Sequence, residues 1–495
     1  MFLGGLDVGT TGCKLTVYDD KGEFCSNYYK EYDVSRVKGA HELDPETVFE
    51  SVCDVIKRTT ENNVKVDAIG VTTFGETFAA LDKDDNVLLP AMLYTDPRGG
   101  EECRSLCERL GEDKLTSISG VKPHQMFSLP KIMWIKNNLP DVYSKITRIL
   151  LMEDFIVYKL TGVATLNYAL ATRTMAFDIR NKCWSKEIFE AAGVDASLMS
   201  KPVPSGTVAG SVVPEMAEKL GLSADTKIVN ACHDQVAAAV GAGVFEVGQA
   251  TDGTGTVECI TPVFTDIPTD PKYYEDGYNV VPFVFDGTYV CYAFSNTGGA
   301  VVKWYRDTFA KYREAKNGNI YAELDSEIPD NPTGILIMPH FAGAATPYMD
   351  VDSKAAIIGM SLENTDADFY KAIMEGVTYE MMLNIEHIES CGIVPKQLYA
   401  TGGGAQSPKW LQIKADVLGR PITALEAKEA GTCGACMVTG VAMGVFKDLY
   451  EAKKFFVKEC KTYYPDPEKN KIYKKYYDAY RDIYKNVRGI VEKLK

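Results

Sequence analysis

The chain has 495 residues, with a hydrophobic fraction of 46%, a charged fraction of 24% and a formal net charge of −15. That length and composition are typical of a globular protein with two or three domains. The acidic excess argues against nucleic-acid binding, and against attraction to an anionic membrane, as the main activity. A phosphate-bearing ligand stays open, because backbone N–H groups and a metal ion act locally.

The first residues lack a basic segment followed by a long apolar one, so no signal peptide is predicted. No stretch approaches the roughly 20 apolar residues that span a bilayer, so no membrane helix is predicted either. The 13 cysteines are scattered, which in a chain of this size suggests reduced thiols. We therefore expect a cytoplasmic protein. The spacings of Cys103 with Cys107 and of Cys433 with Cys436 lack the second pair or the nearby histidines that a zinc site needs, so zinc or redox chemistry is not favoured.

The chain begins with alternating apolar runs and turns, followed by a helical pattern. These patterns predict strands over residues 1–6, 13–18, 24–32 and 66–72 and a helix over residues 45–62. Strands that alternate with helices indicate an α/β fold.

The middle of the chain is mainly helical, and the second half then restarts with strand signals. Helices are predicted over residues 101–110, 129–138 and 152–160, and strands over 227–231, 397–400 and from 249 to 262; further helices begin at 408 and cover 473–495. With a short hinge near residues 245–248, we expect an N-terminal lobe over 1–246 and a C-terminal lobe over 247–495.

Two short loops rich in glycine and threonine lie about half the chain length apart, at residues 7–12 and 252–256. Glycines let the backbone approach an anion, threonines add hydroxyl donors, and consecutive N–H groups form a concave phosphate site. An aspartate beside such a loop can hold Mg²⁺, usually through water. Ordinary hairpin turns use the same residues, but the repeat at half-chain spacing favours a duplicated fold with one phosphate loop per lobe.

Three further sets of residues are candidates for catalysis or for ligand binding. Asp234 follows a strand and precedes a small-residue helix, so it is either a general base or only a helix N-cap. Glu76, Asp96 and Arg98 follow apolar strands and could contact a polyhydroxylated substrate, or could be turn residues with a surface ion pair. The Gly402–Gly404 run allows close approach of a purine or its ribose, although neither a Rossmann fingerprint nor a P-loop is present.

In combination these residues resemble the FGGY carbohydrate kinases of the actin, Hsp70 and hexokinase superfamily. The similarity covers nearly the whole chain, and its motifs are the following: Gly5-Leu6-Asp7-Val8-Gly9-Thr10-Thr11, Leu93 to Arg98, His233-Asp234-Gln235, Gly253-Thr254, Gly299 to Arg306, Gly402 to Trp410, Ala415 to Gly419 and Glu429 to Ala435. The resemblance implies two RNase H-like lobes around a catalytic cleft.

The resemblance also implies a role for individual residues. Asp234 would take the proton of the sugar hydroxyl that attacks the γ-phosphate of ATP, and Asp7 would be associated with Mg²⁺. The phosphate and nucleotide contacts would be Gly9, Thr10, Thr11, Gly253, Thr254, Gly403, Gly404 and Ser407. The substrate contacts would be Gly75, Glu76, Asp96, Asp234 and Gln235.

Some positions depart from the family pattern. Tyr94 stands where a tryptophan is usual, residues 166–169 lack an aspartate, and Ala344 and Lys354 lie where glutamate and arginine are common. These departures concern the identity of the sugar more than the chemistry, because Asp7, Asp234 and both phosphate loops are present.

We therefore expect an ATP-dependent sugar kinase whose substrate is a ketopentose such as xylulose. Glycerol or another polyol is the alternative substrate, given Glu76. An alternative of another class is a nucleotide-driven conformational protein of the actin or Hsp70 type, without chemistry on a small molecule. The expected partners are a small sugar or polyol and ATP, with a homodimer left open.

Overall fold

The computed structural model describes residues 1–37, 39–62, 64–313, 319–426 and 429–494. Two compact units divide the chain. The first unit comprises Met1–Gly243, Asn279–Val290 and Glu429–Val457, and the second comprises Val244–Tyr278, Cys291–Lys428 and Lys458–Lys495. The expected lobes over 1–246 and 247–495 stay a prediction. Within the described part of the chain, no helix has the length and apolar character that crossing a membrane requires.

The first unit is built on a mixed sheet of six strands. Their order is Thr207–Ser211, Lys227–His233, Ala68–Thr73, Phe2–Val8, Gly12–Asp19 and Phe24–Glu31. The second, third and fourth strands in this order are parallel, and both edges are antiparallel. The strands predicted in the first 72 residues and over 227–231 are confirmed.

Local sequence explains why these elements form and pack. Every residue of Ala68–Thr73 is buried, as expected for a parallel strand covered on both faces. The helix Pro45–Glu61 begins where the Asp44 side chain accepts the N–H of Glu46, and it buries an apolar stripe that includes Val48 and Val52. That stripe belongs to the core beneath the sheet.

Smaller elements complete the first unit. Its helices are Pro45–Glu61, Gly100–Leu110, Glu112–Ser119, Ser128–Asn138, Pro140–Tyr143, Met152–Thr161, Tyr168–Ala171, Lys186–Ala192, Pro214–Leu220, Asp234–Gly241, Ala430–Ala442 and Leu449–Phe456, with 3₁₀ turns at Thr172–Thr174 and Ala196–Leu198. Its short strands are Ser35–Val37, Ala40–Leu43, Phe78–Leu81, Ala91–Met92, Arg148–Leu151, Thr165–Asn167, Phe177–Asp178, Cys183–Trp184, Lys201–Val203, Val281–Pro282 and Tyr289–Val290.

The second unit repeats the strand pattern of the first. Its sheet contains, in order, Ala293–Ser295, Glu258–Phe264, Gln249–Thr254, Gln397–Thr401, Ile422–Leu425 and Glu459–Tyr463. The third, fourth and fifth of these are parallel, and both edges are antiparallel. A duplicated architecture, proposed from the repeated loops, thus has its counterpart in two sheets of the same pairing pattern.

Helices surround the sheet of the second unit. They are Pro271–Glu275, Gly299–Thr308, Ile320–Glu327, Asp366–Ser390, Pro408–Leu418, Pro467–Tyr480 and Ile483–Val491, with 3₁₀ turns at Gly403–Gln406 and Glu492–Leu494 and a short strand pair formed by Leu336–Met338 and Ala356–Ile358.

The single helix predicted over residues 473–495 is wrong, because the structure has two helices there. The N–H of Asp482 bonds the carbonyl of Ala479, a tighter i to i−3 turn that ends the first helix. This turn lets both Tyr480 and Ile483 be buried. Residue 495 lies outside the described residues.

Two small-residue helices of the first unit, Asp234–Gly241 and Ala430–Ala442, pack closely against each other. A Cβ atom on Gly434 would lie 1.9 Å from the carbonyl oxygen of Ala237, and one on Gly241 would lie 1.9 Å from that of Ala430. Only glycine at these positions allows the two backbones this close approach. Cys433 and Cys436, in the second of these helices, are buried free thiols.

Candidate active site

Three parallel strands of the first unit bring acidic residues to one edge of the sheet. Val8 pairs with Thr73, and Thr73 pairs with His233, so the carboxyl ends of the three strands coincide. Asp7, Glu76 and Asp234 lie at or just beyond these ends. This is the edge at which open α/β sheets bind their ligands.

Asp234 is the first residue of the helix Asp234–Gly241 and not its N-cap. The cap is His233, whose Nδ1 accepts the N–H of Gln235, so the reading of Asp234 as a helix cap is wrong. Oδ1 of Asp234 accepts the same N–H over 2.6 Å. Burial, with Asp7 and Glu76 nearby, raises the pKa of Asp234 to about 7, which is the range suited to a general base at neutral pH.

Asp7 lies at the end of the strand Phe2–Val8, in a pocket that a glycine keeps open. A Cβ atom on Gly431 would lie 3.0 Å from Oδ2 of Asp7. Burial raises the pKa of Asp7 to about 6, opposed by Lys14 and reinforced by Glu429. Lys14 itself forms an ion pair of 2.7 Å with Glu429. A carboxylate with a raised pKa gains stability from a nearby cation.

The first glycine-threonine loop turns tightly after Asp7. The N–H of Gly9 bonds the carbonyl of Gly12 over 2.9 Å, and the Tyr32 hydroxyl donates to the carbonyls of both glycines. Thr11 is exposed and Thr10 is partly exposed. The predicted contacts Gly9, Thr10 and Thr11 are therefore accessible. They lie on a loop whose shape is fixed by the hydrogen bonds of Tyr32 and by the one between Gly9 and Gly12.

Glu76 is held by a buried arginine in a strained turn. Its φ is 65°, unusual for a residue with a side chain. Nε of Arg173 donates to Oε1 of Glu76 over 2.6 Å, and both side chains are buried. Gly75 makes room for this pair, because a Cβ there would lie 2.8 Å from Cγ of Arg173. A non-glycine residue kept in this conformation suggests a functional site.

The carboxylate of Asp96 is occupied by hydrogen bonds within the protein. Its side chain is inaccessible and accepts hydrogen bonds from Arg98 and from the N–H of His41. Despite burial, these partners hold the pKa of Asp96 below its usual value. The ammonium group of Lys131 donates a hydrogen bond of 2.8 Å to the backbone carbonyl of Asp96. The sugar contact expected of Asp96 stays a prediction, and the geometry shows a residue that shapes the loop after Leu93.

The second unit contains a cavity of about 940 Å³, large enough for a nucleotide. The residues that line it come from the second glycine-threonine loop, the helix Gly299–Thr308, the helix Ile320–Glu327 and the Gly402–Ser407 segment; they include Thr254, Thr256, Trp304, Asp325, Gly403 and Ser407. Its lining combines aromatic surface with few charged groups.

The predicted nucleotide contacts that belong to the second unit lie at this cavity with one exception. Thr254, Gly403, Gly404 and Ser407 line it, whereas Gly253 lies one residue earlier in the strand. Ser407 caps the helix Pro408–Leu418 by accepting the N–H of Trp410, and its hydroxyl donates to Asp325. Glycine is needed at position 404, because a Cβ there would lie 2.5 Å from Cγ2 of Thr254.

Comparison with known proteins adds to this geometry. The sequence profile of the FGGY family of carbohydrate kinases matches over residues 2–241 for its N-terminal domain and 269–443 for its C-terminal domain. The chain belongs to the FGGY family of carbohydrate kinases. It is therefore an ATP-dependent carbohydrate kinase, and the alternative of a non-enzymatic conformational protein is not supported.

Several individual FGGY proteins are similar over their full length. A xylulose kinase from Bacillus subtilis (strain 168) is 28% identical over 99% of this chain and 98% of its own. Crystal structures of a xylulose kinase and of a gluconate kinase from Lactobacillus acidophilus superpose with TM-scores of 0.91 and 0.90, each at 23% identity; they cover 100% of this chain, and the matched shares of their own chains are 100% and 99%. These superpositions confirm the predicted α/β fold with two RNase H-like lobes.

Sequence reasoning missed the basic residues of both units. Lys14, Lys131, Arg173 and Lys414 carry charges that oppose or pair with the acidic residues of the candidate sites. Lys414 had a signal, since it shares a helix face with the apolar Trp410 and Val417 at spacings of four and three residues. Arg173 had none, because its partner Glu76 is 97 residues away.

Proposed function

We propose that this FGGY kinase transfers the γ-phosphate of ATP to a hydroxyl group of xylulose or a closely related neutral ketose. The observation that carries the proposal is the convergence of Asp7, Glu76 and Asp234 at the carboxyl edge of one parallel sheet. The similarity to curated xylulose kinases along the full chain supports the choice of sugar.

In this proposal the residues of the first unit act on the acceptor. Asp234 accepts the proton of the attacking hydroxyl, for which its raised pKa is suited. Glu76 and Gln235 bind sugar hydroxyls, and Gly75 keeps the Arg173–Glu76 pair in place. The loop of Gly9, Thr10 and Thr11 contacts phosphate oxygens through backbone N–H and hydroxyl groups.

The second unit binds the adenine nucleotide in its cavity. Thr254 and the turn after it lie at the phosphate end, while Gly403, Gly404 and Ser407 form the wall for the nucleoside. Catalysis by such an enzyme comes mainly from positioning and from charge neutralisation at the transferred phosphoryl group.

The residues present fit a bound Mg²⁺. No cluster of three or more metal-ligating side chains occurs among the described residues, and Mg²⁺ usually keeps several waters and takes only one or two carboxylates together with substrate phosphates. Asp7 offers such a carboxylate beside the space that Gly431 leaves open. When bound, the ion would neutralise charge on the ATP phosphates.

Charge pairing in the first unit favours a neutral sugar over a sugar acid. Arg173 is paired with Glu76, and Arg98 is paired with Asp96 and Glu42. A carboxylate on the substrate would meet the negative charges of Asp7, Glu76 and Asp234 and would have to compete for cations that already have partners. A gluconate kinase shares the fold, so gluconate is the competitor to test.

The cellular location and the oligomeric state belong to the proposal as well. All 13 cysteines are free thiols, which supports the expected cytoplasmic location. The homodimer left open by the sequence awaits a measurement of mass in solution.

The experiment that tests the proposal is a coupled assay of ADP release with ATP, Mg²⁺ and a panel of acceptors. The panel contains xylulose, ribulose, xylose, glycerol and gluconate. We expect the highest kcat/KM for xylulose and no significant turnover of gluconate. A clear preference for glycerol or gluconate would overturn the choice of sugar, and ADP release that is independent of every acceptor would overturn acceptor phosphorylation.

A further inference from the structure

A buried cluster of three ionisable side chains lies beneath the cavity of the second unit. Lys414 is 1% exposed, Asp252 is 0% exposed and Glu258 is 1% exposed. Nζ of Lys414 lies 2.6 Å from Oδ2 of Asp252, 2.6 Å from Oγ1 of Thr254 and 2.9 Å from Oε1 of Glu258. The ammonium group thus donates hydrogen bonds to Asp252 and Thr254 and forms an ion pair with Glu258, as a buried charge requires partners.

The contacts of Lys414 fall on both sides of one turn. Thr254 ends one strand and Glu258 begins the next, and the two residues face each other as the last pair of the hairpin. The turn between them, residues 255–257, has one internal hydrogen bond, from Gly255 N–H to the Val257 carbonyl. The carbonyls of Gly255 and Thr256 also accept hydrogen bonds from the N–H groups of residues 298–300. The first two residues of this turn line the cavity.

Lys414 also connects this turn to the opposite wall. It belongs to the helix Pro408–Leu418, and its ammonium lies 5.2 Å from the ring centroid of Trp410. Trp410, Lys409 and Ser407 all line the cavity. The side chain therefore joins the glycine-threonine turn to the helix that carries the nucleoside wall.

The charges of this cluster act on one another. Against the desolvation that would lower it, Asp252 and Glu258 hold the pKa of Lys414 above its usual value. Burial and the negative charge of Asp252 raise the pKa of Glu258. The positive lysine thus lies between two acidic side chains, which lowers the cost of burying its charge.

We infer that Lys414 is a positioning residue of the nucleotide site, which holds the 255–257 turn against the helix Pro408–Leu418 through Thr254 and Glu258. The inference rests on the proposed function, in that the cavity is taken as the nucleotide site. It also gives Asp252, to which the proposed function assigns no chemistry, a function as the counter-ion of Lys414.

The test compares Lys414→Met with the charge-balanced pair Asp252→Asn/Lys414→Met in the full-length protein. Removing the lysine alone leaves a buried aspartate unpaired and could prevent folding, whereas the double variant removes both members of the Lys414–Asp252 ion pair. We expect the double variant to unfold near the wild-type urea midpoint and to bind ADP with Mg²⁺ at least tenfold more weakly by calorimetry, with its xylulose Kd changed less than twofold. Wild-type ADP affinity in the double variant would mean that the lysine only neutralises Asp252, and would overturn the inference.

A second measurement needs no ligand. Amide hydrogen exchange at residues 255–257 should be at least tenfold faster in the double variant than in the wild type, because the turn loses its link to the helix. Unchanged exchange in this turn would overturn the inference even if wild-type protein bound no nucleotide. Failure of wild-type protein to bind ADP, with faster exchange in the variant, would instead overturn the nucleotide assignment of the cavity alone.

Lys371 provides a matched control. It is also a buried lysine of the second unit, with Nζ 2.8 Å from the carbonyls of Pro329 and Asn331, and neither of these residues lines the cavity. We expect Lys371→Met to lose stability and to keep wild-type ADP affinity. An equal loss of ADP affinity in this control would overturn a specific role for Lys414.

Discussion

Nε of Arg173 donates a hydrogen bond of 2.6 Å to Oε1 of Glu76, and the two side chains are buried although they are 97 residues apart in the sequence. The ring of Phe127 lies 5.1 Å from the guanidinium carbon on another side. The carboxylate of Glu76 thus neutralises the cation that lies nearest to it at the candidate sugar site. This pairing has a direct consequence for the charge of the substrate.

Replacing Glu76 by Gln should shift the enzyme toward acidic sugars. The variant leaves the positive charge of Arg173 without its carboxylate partner, so a substrate carboxylate becomes the better ligand. We expect kcat/KM for xylulose to fall at least tenfold and the ratio of gluconate to xylulose turnover to rise at least tenfold. Steady-state kinetics with both substrates measures this.

The control for this shift is Glu42→Gln. Glu42 pairs with Arg98 over 2.6 Å, but it is partly exposed and Arg98 keeps Asp96 as a partner. Its substrate ratio should stay within twofold of the wild type. A rise in the ratio for Glu42→Gln, or none for Glu76→Gln, contradicts the charge argument.

Asp234→Asn should abolish phosphoryl transfer and leave nucleotide binding intact. Asparagine has the same shape at the first position of the helix but cannot accept the proton of the attacking hydroxyl. We expect kcat to fall by about 10²- to 10⁴-fold, with an ADP Kd within twofold of the wild type by calorimetry. Asp195→Asn, at an exposed turn of the same unit, should be fully active, and near-normal turnover of Asp234→Asn would remove the base assignment.

Glu153→Gln should change how stability depends on pH. Glu153 is buried and accepts hydrogen bonds from the backbone and side chain of Asn167, and burial raises its pKa to about 8. Between the unfolded pKa of about 4.3 and this value, the folded state keeps a proton that the unfolded state releases. Wild-type stability therefore falls as pH rises through this window, by about 1.4 kcal/mol per pH unit from this group.

The variant removes this titration. The free energy of unfolding is measured in urea at pH 5.5, 6.5 and 7.5. The difference between Glu153→Gln and the wild type should change in favour of the variant at each higher pH. The constant offset between the two proteins reflects the amide contact with Asn167 and does not bear on the prediction. Parallel stability curves for the two proteins would show that Glu153 is ionised throughout.

Gly434→Ala should lower both stability and turnover. The added Cβ would lie 1.9 Å from the carbonyl oxygen of Ala237, so the helix that begins at Asp234 has to shift. Overpacking of this kind costs about 1–3 kcal/mol, and displacement of Asp234, the proposed base, should lower kcat. Urea unfolding and steady-state kinetics measure the two effects.

Gly489→Ala is the control for this substitution. Gly489 lies in the helix Ile483–Val491 with no atom near the position of an added Cβ. Alanine there should stabilise the protein by about 0.5–1 kcal/mol through helix propensity and leave kcat unchanged. Equal behaviour of the two variants would mean that close helix packing does not govern the position of Asp234.

Local pattern was enough to predict much of the framework around the candidate site. Apolar alternation predicted the strands that end near Asp7 and Asp234, and the rule that parallel strands present their carboxyl ends together explains why these residues meet Glu76. The glycine-threonine loops were visible because their residue types are unusual in series. The roles assigned to these residues remain predictions.

Long-range pairing could not be predicted in the same way. Lys14 meets Glu429, Arg173 meets Glu76 and Lys414 meets Asp252 across 415, 97 and 162 residues of sequence. No periodicity connects such pairs, because the fold brings them together. The break after Tyr480 was missed for a related reason: a tight turn there serves burial of Ile483, which tertiary packing decides.

The close contact between the helices Asp234–Gly241 and Ala430–Ala442 also bears on the order in which the polypeptide is made. The sheet of the first unit and the helix that starts at Asp234 leave the ribosome long before Ala430 is synthesised. Until then, the small-residue face of the earlier helix lacks its partner. Asp234, the proposed base at its N-terminus, takes its final place only when translation has passed residue 442, so we expect catalytic competence to arise late in synthesis.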